Sequence, residues 1–336
     1  MLRALIAFFI LFPQLVNACT CVTFDSPCDT GWKSGDAILL GKVIALDQLP
    51  DRTYNAHLAV AESFRGSATQ GQEIVVHTGG GGGDCGYPFA IGTSYVIYAF
   101  GMPVDGRLEV NKCSETKPEV MMGGVLRELR AAKNRAPLDD IFGTVGQAPR
   151  GATYMDLPES WPRANIEVRA IPTRGSPFLT HTDNNGIYAF PSLPPDTYNV
   201  EEDMPGFAPR VPAIAEVKAA GSACRLDNFA KPDGRIEGTV VDAAGQPLAG
   251  FVTIQPSDPQ EAEAARGHGG MPGFSADSDG KFILPQLSPG RYRLVFHPRV
   301  GAIPDFRVTF FWPPPPNDPI NLAFGQHIGD IRFKTP

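Results

Sequence analysis

The chain has 336 residues, enough for two or three domains of about 100–150 residues each. With 36 glycines and 33 prolines it is rich in turn formers, which excludes a fold of long helices. A 43% hydrophobic and 19% charged composition excludes wholesale disorder, and a net charge of −7 without a Lys/Arg run argues against a nucleic-acid partner.

Residues 1–18 read as a secretion signal. Arg3 supplies the positive start, Ala4 to Phe12 is apolar, and Val16-Asn17-Ala18 places small or medium residues at −3 and −1 of a cut site. No later run approaches the ~18 apolar residues of a spanning helix, so no transmembrane segment is expected. Cleavage after Ala18 makes Cys19 the first residue of the mature chain. The expected location is secreted, extracellular or periplasmic, the alternative being a lipid anchor on Cys19. Asn17 fits a lipoprotein signal poorly. Cys19, Cys21, Cys28, Cys85, Cys113 and Cys224 are also an even set in an exported chain, which suggests three disulfides, and acylating Cys19 strands one thiol.

Residues 19–136 form the first predicted module. Ala37 to Ala45, Leu58 to Phe64, Glu73 to His77 and Tyr95 to Phe100 are β-rich runs. Five consecutive glycines, Gly79 to Gly83, precede Asp84-Cys85. No Lys-Ser/Thr follows them, so they predict a flexible loop pinned at one end by a cysteine rather than a phosphate cradle. Met122, Val125, Leu126 and Leu129 recur at helical spacing, which turns Arg127, Glu128 and Arg130 to solvent, and Pro137 ends the helix.

An internal repeat follows, over 137–231 and 232–336. Ile141-Phe142-Gly143-Thr144-Val145 matches Ile236-Glu237-Gly238-Thr239-Val240, about 95 residues on. Asp183-Asn184-Asn185-Gly186 matches Asp277-Ser278-Asp279-Gly280, and Leu193 to Tyr198 matches Leu287 to Tyr292. In each Asp-x-x-Gly the glycine supplies a positive φ and the aspartate bonds its own turn backbone. Neither turn has the alternating oxygen series and distal Glu of an EF-type calcium loop. Pro289-Gly290 predicts a type II turn, with Asp196 in the glycine's place in the first repeat. The tyrosine that follows is placed to bond back to its loop. A unit of this length with short strands and turn signals predicts an all-β sandwich rather than a solenoid repeat.

The mature start Cys19-Thr20-Cys21-Val22 resembles that of the tissue inhibitors of metalloproteinases, members of the netrin-like group built on an OB-type five-stranded barrel. Ser34 to Val43 resembles that family's first barrel strand, Phe64-Arg65-Gly66 the end of its second, and Cys85-Gly86-Tyr87 and Gly106 to Val110 before Cys113 follow in its order. The resemblance implies the pairs Cys19–Cys85 and Cys21–Cys113, and parity then suggests Cys28–Cys224, joining the first module to the second. It also implies an activity. The α-amino group and carbonyl oxygen of Cys19 would chelate the catalytic zinc of a partner protease, which keeps one open position, while Thr20 enters its specificity pocket. Thr23-Phe24 departs from the proline common there, and the family's C-terminal disulfide-rich subdomain is replaced by the repeats.

Gly238 to Gly250 (GTVVDAAGQPLAG), with the Asp-x-Asp-Gly and Leu-x-Pro-Gly-x-Tyr motifs after it, is similar to carboxypeptidase regulatory-like domains, which are transthyretin-like sandwiches grouped with carbohydrate-binding-like folds. This resemblance implies spacer or docking modules. Trp161, Phe310, Phe311 and Trp312 are candidates for stacking on sugar rings, or else core residues and edge covers. His-Glu-x-x-His, Gly-x-Ser-x-Gly and P-loop motifs are absent, and the six histidines show no metal-ligand spacing. No enzyme, cofactor or intrinsic metal is therefore expected. The expected fold is all-β: an OB-type five-stranded barrel with a closing helix, then two tandem transthyretin-like sandwiches. The expected role is a secreted, non-enzymatic binding protein. It would inhibit a zinc metalloprotease through Cys19 and Thr20, or serve as an extracellular interaction scaffold or carbohydrate-binding surface protein.

Overall fold

The computed structural model describes residues 21, 27–28, 34–81, 84–101, 107–147, 161–257, 273–301, 303–305, 308–312 and 318–335. By contacts the chain divides into two units, one containing Ser34–Thr116 and the other Lys117–Pro336 with Pro27 and Cys28. Among the described residues one α-helix stands among strands, so the fold is all-β as expected.

The first unit is a closed five-stranded barrel of β1 (Ala37–Gln48), β2 (Tyr54–Arg65), β3 (Glu73–Thr78), β4 (Ser94–Gly101) and β5 (Leu108–Glu109). The path β1-β2-β3-β5-β4 closes where β4 returns antiparallel to β1, and only the β3–β5 pair is parallel. Alternation aims Leu39, Val43, Ala56, Leu58, Val76, Tyr95 and Ile97 into one core. β1 serves both neighbours because three register shifts, at Ile38/Leu39, Leu40/Gly41 and Val43/Ala45, coil it.

After a two-residue strand, β6 (Lys117–Pro118), comes the helix α1 (Gly123–Lys133). Met122, Val125, Leu126 and Leu129 are buried, as their spacing predicts. Glu128 corrects the sequence expectation: it is only 1% exposed, and its Oε2 accepts the Asp139 amide at 3.0 Å. Arg127 and Arg130 stay exposed as expected, together with Ala132 and Lys133 in the last turn.

The second unit holds both repeats. The first contains β7 (Ile141–Gln147), β8 (Trp161–Pro162), β9 (Glu167–Pro172), β10 (Phe178–His181), β11 (Ile187–Phe190), β12 (Asp196–Glu202), β13 (Ala213–Val217), β14 (Cys224–Arg225) and β15 (Asn228–Ala230). Its sheets are β10-β9-β12-β13 and β11-β7-β14, the latter joined by β8 and β15 on β7. The second repeat contains β16 (Gly234–Val241), β17 (Gly250–Pro256), β18 (Gly273–Ala276), β19 (Lys281–Leu287), β20 (Gly290–Val300), β21 (Ile303–Pro304), β22 (Phe310–Trp312), β23 (Ile320–Leu322) and β24 (His327–Lys334). Here the sheets are β19-β16-β24 and β18-β17-β20-β21, with β22 and β23 also on β20. Each pair of sheets encloses its own apolar core.

The repeated motifs have the same physical cause in both copies. Asp183 Oδ1 accepts the amides of Asn185 and Ile187, and Asp277 Oδ1 those of Asp279 and Lys281, around Gly186 and Gly280 at φ +72° and +71°. The Tyr198 hydroxyl donates to the Pro194 carbonyl at 2.7 Å, and the Tyr292 hydroxyl to that of Ser288 at 2.9 Å. The glycine of Gly-Thr-Val is set by crowding. The last strand of each repeat runs parallel to the first, and a Cβ on Gly143 or Gly238 would overlap the Leu226 or Ile331 carbonyl. The type II turn at Pro289-Gly290 is corrected: Gly290 lies outside the positive-φ region and opens β20, where a Cβ would sit 3.0 Å from the Tyr292 ring. Asp196 opens β12 in the same way, needing no left-handed backbone.

Candidate functional site

Cys19 and Thr20, the expected inhibitory pair, lie outside the described residues. The structure does show what anchors the chain beside them: Cys21 is bonded to Cys113 with an S–S distance of 2.05 Å. Cys113 is held in turn by the Asn111 side chain, which accepts its amide at 2.9 Å, and Asn111 bridges to Gly86. Cys85 is also disulfide-bonded. The run before it is not a loose loop in its described part. The Asp84 carboxylate accepts amides from Gly80 and Gly86, which holds its pKa below the ordinary carboxylate value. A Cβ on Gly80 would overlap the Arg52 carbonyl, and one on Gly86 that of Gly79. These glycines allow backbone to meet backbone.

Cys28 and Cys224 are bonded to each other, 196 residues apart in sequence. The Pro27 carbonyl accepts the Arg225 amide at 2.9 Å, so this short piece lies along β14. Both cysteines belong to the second unit by contacts.

The aromatic candidates do not converge. Trp161 stands in β8 opposite Gln147 of β7. Phe310 and Trp312 turn inward, packing near Phe296 and Phe333 with ring centroids 6.4 and 5.9 Å apart, and Phe311 alone is exposed, at 40%. Strand alternation forces this split on three consecutive aromatics, so they form no stacking surface together. Among the described residues no group of three His, Cys, Asp or Glu is placed to hold a metal. His57 instead bridges Asp47 and Glu73 at 2.8 Å each, and these bonds raise its pKa, that to Glu73 most.

A cleft that the sequence did not announce opens in the second unit. It has a volume of about 490 Å³ and is bordered by Lys117, Arg210, Arg225, Asp227, Asn228 and Lys231. Arg225 Nε donates to Asp227 Oδ2 at 2.6 Å, while Oδ1 of the same carboxylate accepts the Thr144 amide at 2.9 Å. Asp227 is thereby spent internally. Beneath it Glu202 accepts from Asn228 Nδ2 at 3.0 Å and lies 3.9 Å from Arg210; burial raises its pKa. The second repeat contributes Gln286, whose backbone sits at φ +58° on the β-bulge between β16 and β19. No sequence signal marked this place, because its residues come from distant points along the chain.

No protein-family model and no curated protein matches the chain. Among solved structures it is similar to the Bacillus anthracis TIE protein, at 13% identity over 90% of this chain with a TM-score of 0.28. It spans 47% of that protein's length. The minor pilin GBS52 of Streptococcus agalactiae matches at 13% identity, 58% of this chain, 97% of its own and a TM-score of 0.23. The shaft pilin SpaA of Lactobacillus rhamnosus GG matches at 14% identity, 58% of this chain, 97% of its own and a TM-score of 0.22. Superpositions this loose assign neither family nor function.

Proposed function

We propose that the chain is an exported, non-enzymatic binding scaffold that acts at or beyond the cell surface. The observation that carries this proposal is the joint between the two sandwiches. Phe207 and Phe324 meet edge to face at 4.9 Å, with the Arg163 guanidinium 5.1 and 5.7 Å from the two ring centroids. The Asp233 amide donates to the Gly206 carbonyl at 2.9 Å, and a Cβ on Gly325 would stand 2.7 Å from the Gly206 Cα. Modules joined so closely present surfaces in fixed order, as a scaffold needs, and cystines suit an oxidising compartment. The resemblances to netrin-like barrels and carboxypeptidase regulatory-like sandwiches support docking modules. In the test, the exported chain is offered a glycan array and is crosslinked in place on cells. A partner recovered chemically unchanged and bound saturably supports the scaffold; a partner converted to product overturns it.

A second proposal, inhibition of a zinc metalloprotease by Cys19 and Thr20, is favoured by the Cys21–Cys113 bond, which ties the chain beside those residues to the barrel region. A terminus tethered in this way loses little entropy on binding. With an α-amino pKa of about 7.7–8.0, a useful fraction of Cys19 nitrogen is neutral and able to bind metal. One alanine added before Cys19 should abolish inhibition in a panel of zinc proteases. A mature chain that inhibits none of them ends this alternative.

A further inference from the structure

We propose that the cleft bordered by Lys117, Arg210, Arg225 and Lys231 is a binding site for an acidic saccharide, one carrying carboxylate or sulfate groups on its rings. The inference goes beyond the scaffold proposal and does not depend on Cys19. Lys117, Arg210, Arg225 and Lys231 border one cleft of about 490 Å³ in a chain whose net charge is −7. Two carboxylates stand among them, Asp227 paired with Arg225 and Glu202 3.9 Å from Arg210, so the cations outnumber the carboxylates four to two. Asp227, the carboxylate in the lining, has both oxygens engaged, one by Arg225 and one by the Thr144 amide, so it offers a ligand little repulsion. The arrangement has two levels. Ala230 is buried and Phe229 half-buried, while Arg210 and Lys231 are exposed around them. A sugar ring has a matching division, with an apolar C–H face to lie over Phe229 and charged substituents at its edge to meet the cations.

Gln286 adds an uncharged polar side chain to the same cleft. Its φ of +58° is one of seven left-handed non-glycine backbones among the described residues, and here it belongs to a β-bulge. The bulge that carries it interrupts the β16–β19 register between Gly234 and Ile236 and brings an amide to the cleft. Ser192, the matching residue of the first repeat, has no such backbone. At this position the left-handed backbone belongs to the second repeat, which adds Gln286 to a cleft otherwise bordered by first-repeat residues and the segment before them. An amide beside several cationic donors suits hydroxyl and oxyanion groups on one ligand. An acidic peptide of the strand-adding kind would draw instead on a long open strand edge, which the three-residue β15 does not supply.

The test is a calorimetric titration of the full exported chain with four probes: a galacturonate oligosaccharide, a sulfated dextran oligomer, a neutral dextran oligomer and a poly-glutamate peptide. Binding by either acidic saccharide, weakened by added salt, is expected, and the two arms separate carboxylate from sulfate recognition. Neutral dextran should not bind. Lys231→Glu and Arg210→Ala should each weaken the acidic saccharide at least tenfold, and Gln286→Ala severalfold, while Lys42→Ala on the barrel leaves binding unchanged. Thermal melts check that each variant is folded, and any one that is supplies the comparison. The proposal is overturned if neither acidic saccharide binds, if folded cleft variants bind like the parent chain, or if poly-glutamate binds more tightly than both.

Discussion

Glu128 shows how far a tertiary contact can override a local pattern. The helix period puts it beside Arg127 and Arg130 on a polar face, yet its side chain is buried and its Oε2 accepts the Asp139 amide. Burial is the main cause of a pKa pushed up to about 7, with the Asp139 carboxyl adding to it and Arg127 opposing it. The consequence for stability has a definite sign. Between the ordinary glutamate pKa and about 7 the folded chain holds more protons than the unfolded one, so stability falls as pH rises through that window. Melting curves at pH 5 and pH 8 should differ by a contribution on the order of 2 kcal/mol that Glu128→Gln removes. An unchanged pH slope in that variant contradicts the assignment. The turn aspartates Asp183 and Asp277 were legible because their bonds reach only two to four residues along the chain. Glu128 was not, since its partner returns from beyond the helix.

Elements show the same division. The α1 stripe, the Asp-x-x-Gly hairpins and the tyrosine corners follow from local spacing and were expected. The type II turn was not found because Pro289-Gly290 satisfies two explanations equally well in sequence. Only the approach of the Tyr292 ring shows that closeness, not a positive φ, calls for glycine. Gly124 presents a similar choice on α1. Helix propensity favours alanine there by about 1 kcal/mol. The ideal Cβ, however, would stand 2.9 Å from the Gly143 carbonyl, in backbone that is pressed in turn against Leu226. The packing term should win. Gly124→Ala is expected to destabilise the second unit by roughly 1–3 kcal/mol in denaturant unfolding. A gain in stability would show that α1 can lift away from β7 at little cost.

For the whole molecule the decisive contacts are those that make two repeats act together. Phe207, Phe324 and Arg163 lie at three separate points in the chain, and nothing in their local sequence marks them as partners. The cleft has no local sequence signature for the same reason. If the joint couples the sandwiches, they unfold in one calorimetric transition, and Phe324→Ala separates it into two. Phe324 is 41% exposed, so the cost of that change should stay near 1–2 kcal/mol. Two transitions already present in the parent chain would mean that the sandwiches are independent. The Cys28–Cys224 bond acts over a longer range. Closing 196 residues restricts the unfolded chain by about 5 kcal/mol on a loop-entropy account.

The account of an exported, cystine-fastened scaffold is tested most directly by non-reducing peptide mass spectrometry on chain recovered from outside the producing cell. Peptides joining Cys21 to Cys113 and Cys28 to Cys224, with a mature terminus at Cys19, are the predicted result. Reduced thiols at those four positions, or a chain retained in the cytoplasm with its first 18 residues attached, would contradict it.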